Sequence, residues 1–529
     1  MSHHFKILVA DPLAKEGVDA LKAYAEVDVK TGMTKDEIKA IIGNYDAIAV
    51  RSETKVTADI IDAGKKLQVI GRAGVGVDNV DLDAATRNGV LVVNAPTGNT
   101  ISAAEHTIGL MLALARHIPQ ANQKLRAGEW KRKEYMGTEI RNKTLGIIGL
   151  GNVGSEVAKR AIGLSMHIIG YDPFVSVDLA KNLGVKMVSM DELLKESDFI
   201  TLHLPLSANT KGLLGEKEIA KMKPSVRIIN CARGGIIDEE LLYKAVQDGK
   251  VAGAAVDVFT KEPAPADNPL LKSEKIIVTP HLAASTTEAQ ISASTDIAEE
   301  IIAALKGDPV RYAINIPRIP AATRAVIGPF MGVCQLMGKL LHQLGEGQME
   351  GINIKYEGEL ANCDTSALKA YILGGLLEGS VEERVNLVNA NVIAQRRGLK
   401  ISETTEPTCE VYTNLITLEL KTTSGTLTVA GTAIRGEPHI IRVNDFWIDV
   451  IPRQGYFLFS DHKDRPGLIG SVGTILGDAD INISAMHLGR LKQRGNALLV
   501  LAVDEAVNTD VLKKLRELPE VYTMKLVKL

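Results

Sequence analysis

Gly149-Leu150-Gly151-Asn152-Val153-Gly154 joins an apolar, strand-like run, Thr144–Gly149, to a helical one, Asn152–Gly163. Glycines in this spacing, placed between a strand and a helix, are the context in which G-x-G-x-x-G marks a dinucleotide site. Gly149 makes the tight turn, Gly151 lets backbone approach a pyrophosphate, and Gly154 lets helix and strand pack closely. The helix N-terminus offers unpaired N–H groups and a positive dipole end to phosphates. Asp172 ends the next strand, about 20 residues further on, where a carboxylate meets the adenosine ribose and repels a 2′-phosphate. The expected cofactor is therefore NAD rather than NADP.

Either side of these glycines the chain alternates short apolar strands with helices. Lys6–Ala10, Ala47–Val50, Val69–Ile70 and Leu91–Val93 precede them; His167–Tyr171, Phe199–Leu202, Ile228–Asn230, Gly253–Val258 and Ile276–Thr279 follow. Such alternation predicts parallel sheets with helices on both faces, here two doubly wound α/β, Rossmann-like domains in sequence. Between the two series runs a helix capped at Asn99 or Thr100, with Ser102-Ala103-Ala104-Glu105 reading as a capping box. His106 and His117 on it are expected to be solvated or capping residues. A second glycine cluster, Gly71 to Val80, lacks the third glycine in register; it reads equally as a structural turn or as an anion-holding loop.

Past the prolines of Pro317-Arg318-Ile319-Pro320, read as a linker, helices (Leu368–Leu377, Val385–Arg397) mix with alternating strands (Leu415–Lys421, Gly425–Ala430, Ile440–Val443). From Gln454 the order is strand, helix, strand, strand, helix, strand, a ferredoxin-like βαββαβ unit.

Composition bounds the rest. A chain of 529 residues suits three to four domains at roughly 150 residues each. A net charge of −3 excludes bulk nucleic-acid binding, and 8 Phe, 11 Tyr and 2 Trp leave few stacking platforms. Cys231, Cys334, Cys363 and Cys409 are far apart, which argues against disulfides and zinc. The N-terminal residues enter a strand without signal-peptide anatomy, and His3-His4 read as a mobile tail rather than a metal site. No stretch long and apolar enough to span a membrane is expected. A cytoplasmic protein with no metal follows.

Three strand ends deliver chemistry to one edge. Arg233 follows the strand Ile228–Asn230, Glu262 follows Gly253–Val258, and His281 follows Ile276–Thr279. Ligands of open α/β sheets gather at such carboxyl ends. Oxidising a secondary alcohol with NAD needs a base for the hydroxyl proton, and histidine has the suitable intrinsic pKa. His281 is the expected acid/base, Glu262 its orienting partner, and Arg233 the clamp for a substrate carboxylate and carbonyl.

The glycine run with Asp172, the Asn230–Gly235 stretch, Asp257–Pro263 and Pro280-His281 together resemble the D-isomer-specific 2-hydroxyacid dehydrogenase family, in a long form with two extra regulatory domains. The resemblance implies a discontinuous substrate domain (1–98 and 287–318), an NAD domain (99–286), an α+β intervening domain (319–453) and an ACT domain (454–529). It places Arg51, Ser52, Gly74, Val75 and Asn99 on substrate loops, Val75 also beside the cofactor and standing where some relatives carry threonine. Asn152 and Val153 match pyrophosphate contacts. Cys231, Ala232, Arg233, Asp257 and His281 to Ala284 match positions lining the nicotinamide. Arg132, within Lys131-Arg132-Lys133, matches a segment that packs at a dimer interface and reaches the partner's site.

The long form implies oxidation of 3-phospho-D-glycerate to 3-phosphonooxypyruvate, the first step of L-serine biosynthesis, in a homodimer or homotetramer. In the ACT tail, His462, Asp464 and Asn482 match positions that bind L-serine as a feedback effector. In the intervening domain, Arg435, His439, Arg442 and Arg453 read as scattered surface charge or as an anion site. Two alternatives stay open: another D-2-hydroxyacid dehydrogenase, acting on glyoxylate, hydroxypyruvate or D-lactate, and a NAD-sensing binding protein on the same fold.

Overall fold

A computed structural model describes residues 5–317, 319, 322–380 and 384–529. His3-His4, and Arg318 and Pro320 of the expected linker, lie outside the described residues.

Two parallel sheets carry the first half. The first has five strands in the spatial order Glu26–Val29, Lys6–Val9, Ala47–Val50, Val69–Arg72, Leu91–Asn94. Its inner strands are continuous apolar runs because both faces are covered; Ala47–Val50 is buried at every position. Alternate residues feed two cores. Leu8, Ile48, Val50 and Ile70 pack with Ile38, Ile60 and Ala84 of the short helices on one side. Ile7, Val9, Ala47 and Val69 pack with Leu21, Ile297 and Ile301 on the other. Ile297 and Ile301 belong to the helix Thr287–Lys306, which follows the second sheet in sequence and returns to the first.

The second sheet has seven strands, ordered Ile276–Val278, Gly253–Val256, Arg227–Asn230, Phe199–Leu202, Thr144–Ile148, His167–Tyr171, Lys186–Met187. The chain winds outward one way from Thr144–Ile148 and then the other way from Phe199–Leu202. The topological switch point, where such sheets bind ligands, falls beside the strand that feeds the glycine run. The helix Thr100–Arg116 crosses from the first sheet to pack on the second, against Asn152–Gly163. The two lobes are thus joined by two chain crossings, tied by a 2.7 Å hydrogen bond between Ser102 Oγ and Thr286 Oγ1. Ser102 is not the start of a capping box: the helix begins at Thr100, and the Ser102 hydroxyl is spent on that tie.

A six-stranded mixed sheet follows, in the order Lys400–Glu406, Met349–Gly358, Asn414–Thr422, Gly425–Ile434, Glu437–Val443, Phe446–Val450. Only the first pairing is parallel. Its main helix, Arg324–Leu344, departs from the sequence reading. It is long and apolar enough to cross a membrane by length and composition, yet Val333, Cys334, Met337, Leu340 and Leu341 are buried in this unit's core. The expected helix over 385–397 shortens to Ala390–Arg396. Its first turn is lost because Asn386 and Asn389 bond backbone groups of residues 384, 386 and 388, offering the chain a turn instead. Asn386 also reaches the first lobe, donating Nδ2–H to Gly89 O at 2.7 Å, and Arg384 Nη2 meets Gln68 Oε1 at 3.1 Å.

The last sheet is ordered Ile483–Arg490, Asn496–Val503, Tyr456–Lys463, Val521–Lys528, with the helices Leu468–Asp478 and Thr509–Arg516 packed on one face. The ferredoxin-like order holds. Phe457, Phe459, Val500 and Val527 on the other face join the core of the preceding unit.

Helices Arg324–Leu344 and Ser366–Leu377 cross at glycines. A Cβ on Gly338 would lie 2.2 Å from Ile372 O, and one on Gly375 2.2 Å from Gln335 O. Gly375→Ala is expected to destabilise this unit by about 1–3 kcal/mol through overpacking, seen in calorimetry as a fall of several degrees in its melting temperature.

Candidate active site

The glycine run forms a cradle that fits a dinucleotide. Gly149 has φ 96°, and a side chain there would meet His203 O at 2.4 Å. A Cβ on Gly154 would lie 2.0 Å from Gly149 O, so only glycine lets the helix start this close to the turn. Gly151 has open space before it, and Asn152 and Val153 begin the helix with N–H groups that the helix itself does not satisfy. Asp172 closes the cradle. Its Oδ2 accepts Leu150 N–H at 2.8 Å and its Oδ1 accepts Phe174 N–H at 2.8 Å, which fixes the carboxylate at the strand end with lone pairs to spare for ribose hydroxyls.

Three adjacent strand ends build the reactive edge. The strands before Arg233, Glu262 and His281 are direct neighbours in the sheet, about 4.8 Å apart. His281 Nδ1 lies 2.8 Å from Glu262 Oε2, and Glu262 Oε1 accepts Phe259 N–H at 3.0 Å. Burial raises the Glu262 pKa, but the bonds from His281 and Phe259 outweigh it and hold the carboxyl below its usual range. An ionised Glu262 fixes the His281 tautomer and leaves Nε2 free to take or give a proton. Asp257, fully buried, stands between. Its carboxylate accepts from Thr279 Oγ1 at 2.5 Å, Leu282 N at 2.8 Å and Ala283 N at 2.9 Å, and its carbonyl accepts His281 N–H. Burial works against its ionisation; the donors, His106 foremost, still lower its pKa. Ala284 ends the same turn, half-buried. Burial pushes the Cys231 thiol up to about 12, so it presents a small, unreactive surface beside the reactive edge.

Arg233 faces the other lobe. Its Nε is 3.8 Å from Asp78 Oδ2, and a Cβ on Gly76 would touch its Nη2 at 2.4 Å. Its Nη1 donates to Ala232 O at 2.8 Å, while Ala232 N and Arg233 O are both held by the Asn230 amide. Across the cleft, the loop Arg51–Thr54 is pinned by buried Asp11, which accepts Arg51 N–H at 2.6 Å and Thr54 N–H at 3.1 Å. Ser52 in that loop is exposed. Gly74 and Val75 are fixed through their carbonyls, by Ala95 N–H and by the Asn94 amide.

The sequence reading misses Arg72. It ends the strand Val69–Arg72, and Gly74, at φ 150°, leaves room for its guanidinium: a Cβ there would be 1.8 Å from Nη1. Burial first, then the neighbouring charges of Arg233 and Arg51, push its pKa down to about 10, so it remains a cation at neutral pH. Arg72 Nε and Asn99 Oδ1 are both buried without a hydrogen-bond partner among the described residues. The strand-end rule that flags Arg233 applies equally to Arg72. His106 is also corrected. It is no solvated helix residue, for its Nε2 lies 3.3 Å from both Asp257 Oδ1 and Thr279 Oγ1. His117 does end its helix, with a left-handed φ of 54°.

Other candidates are not brought together within the chain. Arg132 lies in the exposed segment beyond the far end of Thr100–Arg116, a helix about 25 Å long whose opposite end carries Asn99. His462 and Asp464 stand at the Asn496 end of the last sheet, whereas Asn482 stands at the Val503 end, bonded to Asp504. His462 is buried, and Asp464 is engaged by Arg490 and Arg494. His439 pairs with Asp449 at 2.6 Å and Arg442 stacks on Trp447, so these two residues are each engaged by separate neighbours.

Comparisons with known proteins place the chain's domains in known families. Residues 108–283 match the D-isomer specific 2-hydroxyacid dehydrogenase NAD binding domain, 326–444 the D-3-phosphoglycerate dehydrogenase intervening domain, and 456–520 the ACT domain. The chain is 45% identical to a D-3-phosphoglycerate dehydrogenase of Archaeoglobus fulgidus, over 97% of this chain and 98% of that one. It is 42% identical to a D-3-phosphoglycerate dehydrogenase of Bacillus subtilis, over 99% and 100% respectively. Among solved structures, a glyoxylate reductase from Paecilomyes thermophila is similar at 32% identity and a TM-score of 0.54, covering 59% of this chain and 98% of its own. With its NAD cradle, its histidine–glutamate pair and full-length relatives at this identity, the chain belongs to the D-3-phosphoglycerate dehydrogenase branch of the D-isomer-specific 2-hydroxyacid dehydrogenase family.

Proposed function

We propose that the chain oxidises 3-phospho-D-glycerate to 3-phosphonooxypyruvate with NAD, the step that opens L-serine synthesis. The observation that carries this reading is the His281–Glu262 pair, one strand removed from Arg233, on an edge that faces the arginines of the other lobe. The cofactor, held by Gly149 to Gly154 and Asp172, supplies the hydride acceptor. His281 Nε2 takes the proton of the substrate C2 hydroxyl, and Glu262 stabilises the imidazolium that results. Arg233 binds the substrate carboxylate and polarises the developing carbonyl. The substrate also carries a phosphate, so a second set of cations is required. Arg51 and Arg72, on the opposite wall, are those cations, and Asn99 orients the acid between the walls. Val75, Cys231, Ala232 and Ala284 would line the nicotinamide, with buried Asp257 directly behind them.

The working division of the chain is a substrate domain of 1–98 and 287–318, a coenzyme domain of 99–286, an intervening domain of 319–453 and an ACT domain of 454–529. A cytoplasmic homodimer or homotetramer fits this reading. In such an assembly Arg132 reaches a partner's cleft. L-serine is the proposed effector of the ACT unit. His462 and Asp464 lie at the opposite end of a strand from Asn482, so a site using all three is built between two copies of the unit.

Following NADH absorbance with 3-phosphoglycerate, D-lactate and hydroxypyruvate tests the reading; turnover confined to the unphosphorylated acids would reject it. His281→Asn is expected to lower kcat by about 10²–10⁴-fold while NAD binding, followed by fluorescence, is retained. Arg72→Met removes a charge-assisted contact worth about 1.5–3 kcal/mol. It is expected to raise the KM for 3-phosphoglycerate at least about tenfold, with a smaller effect on a substrate lacking the phosphate.

A further inference from the structure

The helix that joins the lobes carries a histidine which the acid/base chemistry above does not use. His106 lies one helical turn beyond Ser102, whose hydroxyl ties the two crossings together. Its Nε2 is 3.3 Å from Asp257 Oδ1 and 3.3 Å from Thr279 Oγ1. The Thr279 hydroxyl spends its one hydrogen on Asp257, so it offers His106 only a lone pair. An ionised carboxylate also only accepts. Both neighbours therefore call for the proton on Nε2, as a single N–H shared between two oxygens.

Asp257 is fully buried, and among the described residues His106 is the only basic side chain paired with it. A buried carboxylate without enough donors is costly and shifts to satisfy itself. Here a shift has a specific consequence. Every other group that donates a hydrogen bond to Asp257 belongs to the strand end and turn that carry His281: Thr279 Oγ1, the N–H groups of Leu282 and Ala283, and the His281 N–H on the Asp257 carbonyl. Moving Asp257 moves the imidazole.

We propose that His106 is a positioning residue for hydride transfer: through its Nε2–H it holds Asp257 and Thr279, and with them the His281 turn, in register with the helix that joins the lobes. The role rests on the acid/base reading of His281. Displacing reacting groups by about 1 Å costs on the order of 10²-fold in rate, so the effect belongs in kcat.

The test compares three variants in the full-length protein. Glutamine carries an amide N–H about as far out as histidine Nε2, whereas asparagine reaches only as far as Nδ1. His106→Gln is expected to keep kcat within about threefold of the unsubstituted protein. His106→Asn and His106→Leu are expected to lose about tenfold or more in kcat, with KM for 3-phosphoglycerate changed less than about twofold. A role only in helix stability would instead lower the melting temperature and leave kcat alone. The proposal is overturned if His106→Asn keeps full kcat, or if the glutamine and asparagine variants are equally impaired. Should the leucine variant fail to fold, the two amides decide between them. Absence of turnover by the unsubstituted protein would overturn the dehydrogenase reading instead, which keeps the two outcomes separate.

Discussion

A carboxylate with no access to water, Asp257, is the fixed point of the active site. Burial alone would drive it to neutrality, and an uncompensated charge there would be prohibitive. Instead it is surrounded by donors drawn from the next strand end, the catalytic turn and the helix that joins the lobes. His281, the proposed acid/base, is thereby anchored through its own main chain, while its side chain is left to Glu262. Two acidic residues divide the labour: Asp257 holds the His281 N–H through its carbonyl and the neighbouring Thr279, Leu282 and Ala283 through its carboxylate, and Glu262 holds the ring.

The opposite wall is assembled on the same logic, again around a buried carboxylate. Buried Asp11 accepts the N–H groups of the Arg51–Thr54 loop, and the Asn79 amide donates to the Arg51 and Thr54 carbonyls. The loop's shape is set by backbone bonds, so the guanidinium groups of Arg51 and Arg72 need not hold it together and remain available to an anion. Arg72 is kept cationic although largely desolvated, which makes its charge act over short range with little screening. In the proposed reaction one lobe provides proton transfer and the other provides charge.

What could be read from the sequence is what local order fixes. The glycine run, Asp172, Arg233, Glu262 and His281 each sit at a strand end or turn, and the chain announces such places by its apolar runs and glycines. Arg72 sits at a strand end as well, but the glycines that follow draw attention to backbone amides, and only the position of its guanidinium, where a Gly74 side chain would stand, shows what fills the space. His106 is invisible for a different reason: its partner Thr279 lies 173 residues away. Ser102, Ala103 and Ala104 resemble a helix start because a serine before an apolar run usually caps one; here the hydroxyl serves a tertiary bond. The helix Arg324–Leu344 buries Ile327, Phe330, Cys334, Met337 and Leu341 at helical spacing, but Gly328, Pro329, Met331 and Gly332 on its outer side blur the contrast with a polar face.

The contact of Asn386 with Gly89, and of Arg384 with Gln68, falls at the amino ends of the strands Leu91–Asn94 and Val69–Arg72. The carboxyl ends of those two strands bear Asn94 and Arg72, one bracing the Val75 carbonyl and the other lying under Gly74. Each strand is a stiff rod of four residues, about 13 Å long. The C-terminal half of the molecule therefore grips the cold end of two levers whose working ends line the substrate cleft. The contacts at Gly89 and Gln68 and the residues Asn94 and Arg72 thus sit at opposite ends of the same pair of hydrogen-bonded strands.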